Sequence, residues 1–158
     1  MIAPSAPYIL FVCTGNTCRS PMAEGLCRHF WPQDLDCRIE SAGTSAWDGD
    51  PISKESLKEL ASLGIDASSH QSKAITEEMI HEATHIYTMT RGHRDILLNY
   101  FPEYESKIQL VTCFTSNRDV SDPIGCGQKA YHQVCEELIP ALHEILKALG
   151  YEIVDENR

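Results

Sequence analysis

Apolar residues run without interruption over 8–12 (Tyr-Ile-Leu-Phe-Val) and end at Cys13, the pattern of a strand buried on both faces. Thr14-Gly-Asn-Thr-Cys-Arg19 then replaces apolar periodicity with turn chemistry. Ser20-Pro21 reads as an N-cap with proline at the first helical position, and Met22, Leu26 and Phe30 supply the apolar face of the helix that follows. A second strand is predicted over 37–41, closed by Ala42-Gly43. A helix is predicted over 55–63, stopped by Gly64. Thr76 opens a short capped helix over 77–81, and 84–89 reads as a third strand. The spacing continues with a helix over 92–101 ending before Pro102, a fourth strand over 107–112, and a polar loop over 116–127. A long last helix covers 128–149, with a bend expected at Pro140.

Strands that alternate with helices favour an α/β fold: a parallel sheet wrapped by helices on both faces. The 158 residues are expected to form a single domain over 1–158, with 1–7 a flexible start and 151–158 a flexible tail. In open sheets of this kind a ligand sits beyond the carboxyl ends of the strands, where Cys13 falls.

Composition narrows the function classes. A net charge of −10 argues against a nucleic-acid surface, which needs clustered Lys and Arg. No apolar run approaches the ~18 residues that span a bilayer, and the first apolar run lacks the features of a signal peptide. A cytoplasmic protein that meets neither membrane nor nucleic acid is therefore expected. Seven cysteines, an odd number, then read as reduced thiols rather than a disulfide framework.

The loop between Cys13 and Arg19 carries the chemistry. A turn containing Gly15 lets successive backbone N–H groups converge on an oxyanion, and the N-terminus of the following helix adds its positive end. Arg19 offers a planar fork that grips two phosphate oxygens, as lysine does not. The same surroundings favour Cys13 as a thiolate nucleophile, and Ser20 is placed to hydrogen-bond that thiolate. A cysteine at a strand end is more often core filler. Strand, Gly-Asn turn, Cys, Arg, Ser-Pro and amphipathic helix in one run argue for the nucleophile instead.

Val12-Cys-Thr-Gly-Asn-Thr-Cys-Arg-Ser-Pro-Met-Ala-Glu24 resembles the signature of the low-molecular-weight protein tyrosine phosphatases. The similarity extends through Glu40-Ser-Ala-Gly43, Ser69-His70 and Asp122-Pro123, nearly the whole chain. The resemblance implies a doubly wound four-stranded parallel sheet, a cysteinyl-phosphate intermediate and no metal. No other cofactor is expected, and phosphorylated proteins are the expected substrates of a protein expected to be a monomer. It assigns the phosphate loop to Thr14, Gly15, Asn16, Thr17, Cys18 and Ser20, and support of that loop to Asn16, Ser41 and His70. It also places a general acid in the Asp-Pro pair, so that Asp122 joins Cys13 and Arg19 as catalytic; spacing alone leaves Asp122 as an ordinary turn opener. Cys18 reads equally as buried filler or as a partner that protects Cys13 through a reversible disulfide, and the resemblance favours the redox role.

Substrate choice stays open in the residues. Tyrosine-directed members of the family place Ile or Leu at Thr17 and aromatics after the Asp-Pro, where this chain has Ile124-Gly125. Members that cleave phosphoarginine share its Thr, and a hydroxyl accepts a guanidinium N–H. Trp47 resembles the aromatic wall of the tyrosine-directed slot, but it would also stack on a guanidinium, unless it is simply a half-buried packing residue. Phosphoarginine is favoured, with Thr17, Trp47 and Ile124 as specificity residues and phosphotyrosine as the alternative.

Three other readings carry less weight. An arsenate reductase of this fold needs two relay cysteines after the third strand, and 86–100 contains none. A phosphate-group reader without catalysis would not need Cys13 or Asp122. His81-Glu-Ala-Thr-His85 matches a zinc-protease spacing, but the predicted third strand starts within it.

Overall fold

The computed structural model describes residues 6–151. Strands β1 (Tyr8–Cys13), β2 (Arg38–Gly43), β3 (His85–Thr88) and β4 (Ile108–Leu110) form one four-stranded sheet in the order β2-β1-β3-β4, with every pair parallel. Helices α1 (Arg19–Phe30), α2 (Lys54–Ser62), α3 (Glu77–Glu82), α4 (Arg91–Tyr100) and α5 (Gln128–Ala148) complete the fold, with a 3₁₀ segment at Pro102–Lys107.

The alternation of β1 explains why its apolar run has no polar member. Ile9, Phe11 and Cys13 pack with Met22, Leu26, Leu60 and Leu138, under α1, α2 and α5. Tyr8, Leu10 and Val12 pack with Ile80 and Leu97, under α3 and α4. A central strand covered on both faces has to be apolar at every position. The α/β architecture expected from the sequence is the one observed, and the carboxyl ends of all four strands point to one edge, where the loop after Cys13 lies.

Several boundaries differ from the expected ones, for physical reasons. Helix α1 begins at Arg19, and its N-cap is Cys18, which makes no side-chain cap bond. Ser20 is therefore not the N-cap, nor Pro21 the first helical residue; the Ser20 hydroxyl is used by Cys13 and Asn16 instead. Strand β2 runs two residues further than expected, through Gly43, because Cys13 pairs with Gly43. A Cβ on Gly43 would lie 2.4 Å from the Thr14 carbonyl oxygen, so only glycine lets the loop after β1 close on this strand. Strand β4 shrinks to three residues before turning. The 3₁₀ segment after Pro102 was not foreseen, because its polar residues carry no apolar period. Helix α5 continues through Pro140.

Of the two segments expected to be flexible, 1–5 and 152–158 lie outside the described residues. The adjoining Pro7 and Tyr151 are anchored: the Pro7 carbonyl accepts from Arg38 N, and the Tyr151 ring meets Trp31 at 4.5 Å. His81 lies on α3 and His85 opens β3, so the two do not share a helical face and the zinc-protease spacing has no structural basis. Among the described residues no helix is long and apolar enough to cross a membrane.

Candidate active site

The loop after β1 is held by one chain of hydrogen bonds. Asn16 adopts a left-handed conformation (φ +56°) and is fully buried, two costs that need compensation. Its Nδ2 donates to Ser20 Oγ at 2.8 Å and to Ser41 Oγ at 2.9 Å, and its Oδ1 accepts from Lys73 N at 3.0 Å. The Asn16 carbonyl oxygen lies 2.8 Å from His70 Nε2, which fixes that nitrogen as the N–H donor. Every polar atom of the Asn16 amide is thus satisfied. Ser41 passes the chain on by donating to Glu24 Oε1 at 2.6 Å.

This chain also reaches the Cys13 sulfur. Cys13 Sγ and Ser20 Oγ are 2.8 Å apart. Because Ser20 Oγ already accepts from Asn16, its one hydrogen is free for the sulfur, so Ser20 is assigned as donor to Cys13. Such a donor stabilises a thiolate both before attack and as a leaving group.

Arg19 is 5% exposed, and its charge is held by Nη1 donating to the Val120 carbonyl at 2.9 Å. Nη2 faces Asp122 Oδ2 at 3.9 Å, beyond hydrogen-bond length, so that edge of the fork stays available. Asp122 is half-exposed, and its Oδ1 accepts from Ile124 N at 3.1 Å, which sets the carboxylate at the head of its own turn. The Val120 N–H donates to the Met89 carbonyl, tying the Asp122 segment to the end of β3.

Thr17 sits at the loop rim, partly exposed, with Oγ1 3.7 Å from Cys18 Sγ. Cys18 is a free, buried thiol whose sulfur lies 3.4 Å from the Tyr131 hydroxyl. Trp47 is 81% exposed rather than half-buried, and Ile124 is 63% exposed, so neither is spent on packing. The Thr44 and Ser45 N–H groups donate to the Cys13 and Thr14 carbonyls, laying the segment that leads to Trp47 along the phosphate loop.

Cys13, Arg19, Asp122 and the loop residues therefore share one strand-end site, with Asn16, Ser41 and His70 behind it. Three participants escaped the sequence. Glu24 closes the signature run, but nothing in its type or spacing points to Ser41, 17 residues further on. Lys73 contributes a backbone N–H, which leaves no trace in residue type. His93 approaches Thr14 from the start of α4, and its only signal was a Thr-x-x-His run at the end of a predicted strand. Among the described residues no group of three or more His, Cys, Asp and Glu side chains is arranged to hold a metal ion.

Comparison with known proteins agrees with this geometry. Residues 8–155 match the family model described as low molecular weight phosphotyrosine protein phosphatase. A protein-arginine-phosphatase of Geobacillus stearothermophilus is 38% identical over 149 residues, covering 92% of this chain and 99% of that protein. The low molecular weight protein-tyrosine-phosphatase PtpB of Staphylococcus epidermidis is 30% identical, covering 87% and 95%. A solved YwlE arginine phosphatase, a cysteine-to-serine mutant with a phosphorylated active site serine, superimposes with a TM-score of 0.84 at 32% identity, covering 90% and 95%.

Proposed function

Since the chain belongs to the low molecular weight phosphotyrosine protein phosphatase family, we propose that it releases phosphate from phosphorylated protein side chains as a single cytoplasmic domain, with phosphoarginine its preferred substrate. The observation that carries the chemistry is the position of Arg19, clamped to Val120 by one nitrogen and open toward Asp122 with the other. Cys13 Sγ attacks phosphorus while the P–N bond to the leaving guanidinium breaks, and Asp122 gives that nitrogen its proton. Asp122 then takes a proton from water as the water attacks phosphorus. The S–P bond breaks with its electrons on sulfur, where the Ser20 O–H receives them. Arg19 and the loop N–H groups hold the phosphoryl oxygens through both steps.

The leaving-group role of Asp122 has a sharp test. Asp122→Asn is expected to lower kcat by about 10²-fold on phenyl phosphate, whose leaving group needs a proton, and far less on p-nitrophenyl phosphate, whose leaving group does not. Equal losses on the two esters would remove Asp122 from proton transfer and leave it only a structural partner of Arg19.

Phosphoarginine is supported by Thr17 at the rim and by the lack of an aromatic after Asp122-Pro123, and two relatives named protein-arginine-phosphatase, 38% and 35% identical, carry the same reading. The exposed face of Trp47 suits a phenyl ring as well as a guanidinium and keeps phosphotyrosine as the second reading. Phosphate release from matched phosphoarginine and phosphotyrosine peptides separates the two. The native protein is expected to prefer phosphoarginine, and Thr17→Ile is expected to shift the ratio of kcat/KM values toward phosphotyrosine by at least about tenfold, the scale set by one lost polar contact. A phosphotyrosine preference that ignores Thr17 would instead make Trp47 the selecting wall.

A further inference from the structure

Two threonines of this loop, not one, reach the surface. Asn16 and Cys18 turn inward and are buried, whereas Thr14 is exposed and Thr17 partly so. A Cβ at Gly15 would meet Thr17 Oγ1 at 3.8 Å, so the Thr17 hydroxyl lies beside Gly15.

An exposed threonine normally has a freely rotating hydroxyl hydrogen-bonded to water. Thr14 does not: its Oγ1 lies 2.8 Å from Nε2 of His93, 79 residues further along the chain. His93 is itself 5% exposed and is the third residue of α4. Its Nδ1 lies 2.9 Å from Oγ1 of Thr90, the α4 N-cap, which also accepts the His93 backbone N–H at 3.1 Å.

Hydrogen counting alone allows either tautomer, because Thr90 Oγ1 keeps a second lone pair beside the one that takes the backbone N–H. The positive end of α4 favours an unprotonated Nδ1, which then accepts the Thr90 O–H. The ring hydrogen then sits on Nε2 and is donated to Thr14 Oγ1. Burial, together with the Arg19 charge, lowers the His93 pKa to about 4, so the ring stays neutral at working pH and this pattern holds. Thr14 is left with one O–H and one lone pair, on an oxygen fixed from behind.

We propose that Thr14 is a specificity-determining residue of the substrate pocket, its hydroxyl held by the positioning residue His93 to accept an N–H from a guanidinium leaving group. This rests on the phosphoarginine reading above. The lone pair matches a guanidinium N–H, while the flank of a phenyl ring offers no donor to it. His93 does not touch substrate. It removes the rotational freedom that Thr14 would otherwise lose on binding, and thereby raises the value of the contact.

The test compares Thr14→Val, His93→Leu, His93→Gln and the Thr14→Val/His93→Leu pair on matched phosphoarginine and phosphotyrosine peptides. Thr14→Val is expected to lower kcat/KM for phosphoarginine about tenfold more than for phosphotyrosine. His93→Leu is expected to move selectivity in the same direction, and the double variant no further than Thr14→Val alone, because the two act through one oxygen. His93→Gln keeps an N–H donor at that reach and is expected to recover most of the phosphoarginine rate. Equal losses on both peptides in His93→Leu, without rescue by glutamine, would reduce His93 to a support of the fold and overturn its positioning role. Unchanged selectivity in Thr14→Val, in a protein that does hydrolyse phosphoarginine, would overturn the contact alone. A native protein inactive on phosphoarginine would overturn the substrate reading and the contact with it. Thr14 is exposed, so its valine variant is expected to fold whatever His93 variants do.

Discussion

Cys13→Ser is expected to abolish turnover, with kcat falling on the order of 10⁴-fold or more on every phosphorylated peptide, the scale seen when a covalent nucleophile is removed. The position is unusually well suited to that experiment. The fold should survive, because serine fits the space of a side chain that is 2% exposed and its hydroxyl can pair with Ser20, 2.8 Å away in the native protein. What is lost is chemical. An alcohol does not ionise near neutral pH, so no donor arrangement at Ser20 makes it a comparable nucleophile. If attack occurs at all, the oxygen ester it forms is a worse electrophile for water than a thiol ester of phosphoric acid, because the alkoxide leaves less readily than the thiolate. Incubation of Cys13→Ser with substrate should therefore leave at most one phosphoryl group on the protein, at residue 13, detected by mass after digestion. The related serine mutant that carries a phosphorylated active site serine is the behaviour expected of this geometry. Turnover that persists in Cys13→Ser would mean that another group attacks phosphorus, and the roles given to Arg19 and Asp122 would fall together with that of Cys13.

Legibility in the sequence followed the range of the forces involved. Strand β1 could be read because burial on both faces demands an apolar residue at every position, and the loop after it because Cys, Gly, Asn, Arg and Ser are each needed there for a separate reason. Asn16, Ser41 and His70 were placed together only through resemblance, since their spacing in sequence says nothing about the fold bringing β2 and the 70–74 segment against the loop. Ser20 shows how a local rule misleads. Ser-Pro before an apolar helix is a good capping signal, yet the hydroxyl stabilises more by serving a buried thiol and a buried amide, so α1 starts earlier without a side-chain cap. Glu24, Lys73 and His93 were out of reach for a related reason. Each reaches the loop network through a long-range hydrogen bond, one of them from the backbone, and such bonds leave no periodic mark.

Arg19→Lys is the second large effect, expected to lower kcat by roughly 10³-fold although the charge is kept. The reason lies in how the guanidinium is divided. One terminal nitrogen is bound to the Val120 carbonyl at 2.9 Å, which anchors the side chain to the segment that carries Asp122. The other, 3.9 Å from Asp122, is left for the phosphoryl oxygens. A lysine ammonium is a single point: if it stays at Val120 it abandons the phosphate, and if it reaches the phosphate it leaves a buried carbonyl unpaired and removes the Arg19 anchor of the Asp122 segment. Either way the loss falls on the transition state, where charge on the equatorial oxygens is spread and a directed, charge-assisted N–H counts most. The measurement is kcat together with inhibition by inorganic phosphate. A thousandfold loss in kcat with weakened phosphate inhibition fits the divided fork. If Arg19→Lys keeps a tenth of the native kcat, the site needs only a positive charge near Cys13. The clamp to Val120 would then be packing, with no bearing on how Asp122 is presented to the leaving group.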